Sequence, residues 1–225
     1  MPRVLTDPAQ AFVRKACPHS WYLVMDSLHE QAVFIYEHGD GQIMQEKGPN
    51  GRVERTTVLS HKSVFLLAGF ALENAIKAFL VYENPHWISN GGLCKNLRSH
   101  NLVSLQSQSK FIPNRNRRNR VLQAFEDGLE SWARYPCSLT AEGTRDEDSL
   151  TLELWLQYLR LIRSYEKRLR ELMDEPWKGP HGFSASYRFE GEVGYPPVPT
   201  LFEAYGRLSR TRLTSERAIN RRQGV

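Results

Sequence analysis

Three polar side chains interrupt an otherwise apolar stretch, Ser63–Tyr82 (SVFLLAGFALENAIKAFLVY): Glu73, Asn74 and Lys77. At helical spacing they fall within one arc of about 100°, with Lys77 between the other two. A carboxylate and an ammonium one turn apart support two readings. They form an ion pair on a solvated helix face, or they line a cleft with Arg98, His100 and Arg134, a basic pocket suited to a phosphate or nucleotide. Arg134-Tyr135 either joins that ligand-binding set or braces the fold through a carboxylate such as Glu73. Arg115, Arg117, Arg118 and Arg120 form a second basic group, read as a solvated helix start or as a contact to a phosphate backbone. A third lies at the end of the chain: six arginines, among them Arg217, Arg221 and Arg222, face Glu203 and Glu216, so residues 201–225 hold most of the net charge of +5. This run reads as a nucleic-acid or acidic-partner arm, or as an ordinary basic surface helix.

The elements that would position these groups are helical. The Ser63–Tyr82 stretch is apolar around most of its circumference, which places it at the centre of a bundle. Asp7-Pro8 starts a short helix that Pro18 interrupts. Ser20 can cap a second, from Trp21 to about Glu37. Glycines and a proline between Gly39 and Gly51 mark a loop or irregular hairpin. Thr56 or Thr57 can open the central helix. A shorter helix opens at His100-Asn101, a fourth spans about 119–134, and Asp148 or Ser149 caps a fifth to about Met173. Pro176–Pro199 changes composition, to Gly, Pro and aromatics expected to pack on the bundle. Within it Ser186–Val193 could form a short hairpin. A capping box at Thr200–Glu203 opens the last, arginine-rich helix. The fold class is therefore all-α, an antiparallel up-and-down bundle over residues 1–174 with an aromatic loop and basic helix over 175–225.

Composition narrows the function. With 40% hydrophobic and 11% aromatic residues the chain is globular. Cys17, Cys94 and Cys137 are odd in number and widely spaced, without a metal-ligand pattern, and fit a reducing cytoplasm. No cofactor is implied: phosphate-loop, zinc-protease and serine-hydrolase signatures are absent. Asp146-Glu147-Asp148 reads more simply as an acidic helix start than as a metal site. The longest unbroken apolar run, Val64–Leu72, is short for a membrane span, so no membrane partner is expected.

GFALENAIKAFLVY, the Gly91-Gly92 turn, the Ser99-His100-Asn101-Leu102-x-x-Leu105 segment and Ala133-Arg134-Tyr135-Pro136 follow one another in an order that resembles HEPN domains. In that family a helix with Glu and Lys one turn apart precedes a His-Asp-Leu segment, and Arg-Tyr-Pro often closes a later helix. Asn101 stands here where Asp is common. The resemblance covers about residues 58–173. It implies a helical bundle, usually dimeric, linked to nucleotide or RNA transactions in prokaryotic toxin–antitoxin and defence systems, with a cognate nucleotidyltransferase or antitoxin as partner. Catalytic members carry an Arg a few residues before a His across a dimer cleft. The guanidinium holds the scissile phosphate and the imidazole moves the 2′-OH proton. Arg55-x5-His61 and Arg14-x4-His19 have that spacing, and Lys95-x4-His100 substitutes Lys, a poorer phosphate clamp. None lies on a late helix, where the family's motif falls. The leading expectation is a non-catalytic HEPN-like homodimer that binds a nucleotide, RNA or a partner protein. The alternatives are a metal-independent endoribonuclease drawing on Arg55, His61, Arg98 and His100, and a structural interaction module.

Overall fold

A computed structural model describes residues 7–39, 43–58, 60–113, 115–131, 133–135, 140–142 and 150–187; the side chains of Arg55, Thr57 and 115–118 are not described. The expected last helix with Arg217, Arg221 and Arg222, most of the acidic loop, Cys137, and all but two residues of the Ser186–Val193 hairpin lie outside the described residues.

The described chain is mainly helical, and its helices begin where side chains or prolines satisfy free backbone donors. In α1 (Pro8–Ala16) the Asp7 carboxylate accepts from the Ala9 amide at 3.1 Å, with proline in the first turn. Cys17 is extended, and Pro18 opens α2 (Pro18–His38). The expected start at Trp21 is thus one turn late. Ser20 is already inside the helix, where its hydroxyl donates to the Arg14 carbonyl at 3.2 Å. The glycine-rich stretch is a hairpin, β1 (Ile43–Lys47) with β2 (Val53–Val58), antiparallel and bulged at Glu46/Lys47. Its β-branched run takes up Thr56 and Thr57, so α3 (Ser60–Glu83) starts later than they suggested. Two 3-10 turns, Pro85–Ile88 and Asn96–Arg98, lead to α4 (Leu102–Ser107), α5 (Arg115–Glu130) and α6 (Leu152–Met173). Thr151, rather than Asp148 or Ser149, caps α6, accepting from the Leu154 amide at 3.1 Å.

α3 is the central element. Every residue from Ala75 to Val81 is buried. α2 runs antiparallel to it, with Gly39 against Ser60 at one end and Trp21 beside Lys77 at the other. α5 stacks Phe125 on Phe65 at 4.5 Å, and α6 sets Tyr165 edge-on to Phe79 at 5.8 Å. α6 is joined to α2 through Tyr36–Trp155 stacking at 4.4 Å. By length and composition α3 is apolar enough to cross a membrane, but 78% of its most apolar window is buried against the other elements.

The described part of the aromatic segment packs on this bundle. Trp177 begins β3 (Trp177–Lys178), which pairs with β4 (Ser184–Ala185), and its indole donates to the Tyr82 carbonyl at 3.4 Å. Tyr187 stacks on His19 at 3.7 Å.

Close approach of α5 to α3 depends on Gly69. A Cβ there would lie 3.0 Å from three side-chain carbons of Leu129. Gly69→Val should therefore lower stability in urea titration by about 1–3 kcal/mol through overpacking. Replacing Leu129 by Ala in the same chain should recover part of that loss; wild-type stability in the single variant would contradict this packing.

Candidate functional site

Two of the expected site residues meet a third around one carboxylate. Glu73 and Lys77 are one turn apart on α3, and Lys77 Nζ donates to Glu73 Oε1 at 2.6 Å. His100 Nδ1 lies 2.9 Å from Glu73 Oε2. The Lys77 and Glu73 side chains are only 4% and 7% exposed, whereas that of His100 is 55% exposed. The Lys77 ammonium lies 5.7 Å from the Trp21 ring centre, a cation–π contact from α2. The polar strip is therefore internal rather than a solvated face, which corrects the simpler of the two sequence readings. Trp21 and the segment carrying His100 cover it. Burying such a pair costs several kcal/mol per ion unless other bonds complete it. Glu73 meets that condition with a donor on each oxygen.

The turn that delivers His100 is held by its own residues. Gly91 adopts φ 67°, open to glycine at no steric cost. Arg98 Nε donates to the Leu93 carbonyl at 3.0 Å, closing the turn. Asn101 Oδ1 accepts from the Ser104 amide at 2.7 Å and caps α4. Asn serves that purpose as well as Asp does.

The other expected members lie elsewhere. The Tyr135 carbonyl accepts from Lys62 Nζ at 3.0 Å, which ties Arg134-Tyr135 to the first turn of α3. Lys62 is about 16 Å along the helix from Glu73 at 1.5 Å per residue. Arg134 and Tyr135 are both exposed, so neither braces Glu73. His61 shares that first turn, half-buried, and burial lowers its pKa. Arg55 is on β2 opposite Glu46, across the strand–helix boundary from His61. Arg115, Arg117, Arg118 and Arg120 occupy the first turns of α5, where Arg120 is exposed. Of the residues Glu73, Lys77, Arg98, His100 and Arg134, side-chain contacts join Glu73, Lys77 and His100, and Arg98 lies two residues before His100 on the same turn.

A second, half-buried pair escaped the sequence reading. On α6 Arg170 Nε donates to Glu166 Oε1 at 3.0 Å and to the Tyr22 hydroxyl at 2.7 Å. Burial raises the Glu166 pKa, against an opposing effect of Arg170, and burial also raises that of Tyr22. Trp21 and Tyr22 of α2 are thus gripped by one glutamate–cation pair on α3 and another on α6. The Glu-x-x-x-Arg spacing was visible, but α6 carries enough Lys and Arg to resemble a solvated basic end. Glu83, at the end of α3, accepts from the Lys110 amide at 2.8 Å and from the Phe111 amide at 3.2 Å, a role without a sequence signature.

No family model, no curated protein and no solved structure matches this chain. Fold and site together define an all-α protein whose central helix carries a buried glutamate–lysine pair linked to a half-exposed histidine.

Proposed function

We propose that the chain is a HEPN-like protein of a prokaryotic stress or defence system that binds RNA or a nucleotide in the cytoplasm, as a homodimer, without cutting it. The observation that carries this reading is the use made of Glu73. Its carboxylate is divided between Lys77 and His100, and the pair it forms with Lys77 is enclosed. An acid-base group at work on RNA needs an arginine beside it at the scissile phosphate. The bond from Arg98 Nε to the Leu93 carbonyl anchors that side chain on its own turn, and His61 is some three turns from Glu73 along α3. Binding capacity would come from exposed Arg120 on α5 and from the arginines that the sequence places at 115–118 and between residues 207 and 222.

One observation favours the endoribonuclease reading. A carboxylate on Nδ1 orients an imidazole so that Nε2 is the atom available for proton transfer, and His100 is half-exposed. Fluorescence anisotropy with a labelled RNA separates binding from its absence. The binding reading predicts association at low salt that weakens steeply between about 50 and 200 mM. No association at any salt leaves the structural interaction module.

A further inference from the structure

We propose that the loop between α4 and α5 is a stacking platform for single-stranded nucleic acid, with Phe111 as the base-stacking residue. The proposal rests on the nucleic-acid reading above and assigns it a place.

Phe111 is 40% exposed, unusual for a phenylalanine in a loop as firmly tied as this one. The Glu83 carboxylate holds the Lys110 and Phe111 amides and accepts a hydrogen bond from the Ser109 hydroxyl. Ser109 Oγ in turn accepts from the Phe111 and Ile112 amides at 3.2 and 3.3 Å. Tyr82 of α3 meets the ring edge-on at 5.9 Å. The Arg168 guanidinium of α6, bridged to Glu171 at 3.0 Å, lies 5.8 Å from the ring centre. An aromatic held by α3 and α6 yet 40% exposed is preorganised, so little ordering cost falls on binding.

The sequence that follows it is basic, as a phosphate strand requires. Residues 110–120 contain Lys110, Arg115, Arg117, Arg118 and Arg120 and no acidic residue. Arg115 is four Cα steps beyond Phe111, at most about 14 Å of chain. That is two nucleotide steps on a stretched single strand. An aromatic face beside a cationic track is how proteins hold single strands irrespective of sequence: bases stack, and the backbone follows the charge. A duplex offers no unstacked base to the ring.

The test uses the full chain and anisotropy with labelled oligouridylate, oligothymidylate and a duplex of equal length. Both single strands should bind more tightly than the duplex. Phe111→Ala should weaken single-strand binding about tenfold and leave duplex binding unchanged. Phe111→Trp should retain affinity, with quenching of the added indole's fluorescence on binding. Arg120→Glu should weaken all three probes and flatten their salt dependence. If wild-type protein binds RNA but Phe111→Ala binds equally well and Phe111→Trp shows no quenching, the platform is wrong while the binding reading stands. That is also the result expected of a protein-docking patch. If the wild type binds no nucleic acid, both fall. Circular dichroism of each variant excludes unfolding as the cause of a loss.

Discussion

Lys77→Met should be the most damaging single substitution in the described chain, with a loss of about 3–5 kcal/mol in urea titration. Lys77 is enclosed by Trp21 on one side and Glu73 on the other. Removing the ammonium leaves a carboxylate 7% exposed with only half-exposed His100 to meet it. The methionine stem fills the same volume, so the loss isolates the charge rather than a cavity. The double variant Glu73→Gln, Lys77→Met removes both charges and should recover most of the stability, because a buried pair contributes little net when deleted whole. Arg170→Met tests the other pair. Its side chain is 27% exposed, so water can reach Glu166 and the loss should be smaller. A Lys77→Met chain within about 1 kcal/mol of wild type would show that Glu73 is solvated, contrary to the geometry.

Stability should also fall as the solution is acidified from about pH 6.5 to pH 4. His19 and His29 are buried, and desolvation lowers both pKa values from 6.5 to about 4, with Arg163 adding to the effect at His29. The Met173 backbone opposes it slightly at His19, although neither ring nitrogen of that residue makes a well-formed hydrogen bond with a described residue. His29 Nδ1 is 2.7 Å from the Tyr158 hydroxyl inside the α2–α6 contact. Between the two pKa values the unfolded chain holds the proton that the folded chain refuses. The stabilisation is therefore complete above pH 6.5 and declines as pH falls through 4. Protonating either ring in the folded chain therefore costs stability on the order of a few kcal/mol. Glu166, whose pKa burial raises, works in the opposite direction and blunts the slope. Urea midpoints measured at several pH values should fall towards acid. His29→Gln should flatten that fall, and a midpoint unchanged from pH 7 to pH 5 would contradict the burial of both rings.

Much of this architecture was legible because it rests on local chemistry. Asp7-Pro8 marks a helix start whatever packs around it, since a proline there gives up a donor the helix does not use, whereas Pro18, expected as a break, opens α2 itself. The apolar circumference of α3 identified the core helix for a similar reason. The hairpin was harder, because the glycines and proline around Gly39–Gly51 signal a turn without saying which flanking residues pair. Thr56 and Thr57 suit a helix cap or a strand equally, and the partner strand decided between them.

The site was legible in its members but not in their surroundings. Helical spacing puts Glu73 and Lys77 side by side, yet it is silent on what covers them. Trp21, from another helix, and His100, at the end of a long turn, enclose the pair, and both contacts are remote in sequence. Arg55-x5-His61 is divided by a strand–helix boundary, which its spacing alone does not show. Glu166–Arg170 passed unnoticed because a buried and a surface pair share the same spacing.

Purified protein incubated with labelled RNA in EDTA, resolved on a denaturing gel and read in parallel by anisotropy, tests the central claim most directly. Bound and intact RNA is the expected result. Cleavage that His100→Ala or His61→Ala abolishes, in variants that still fold and still bind, would contradict it.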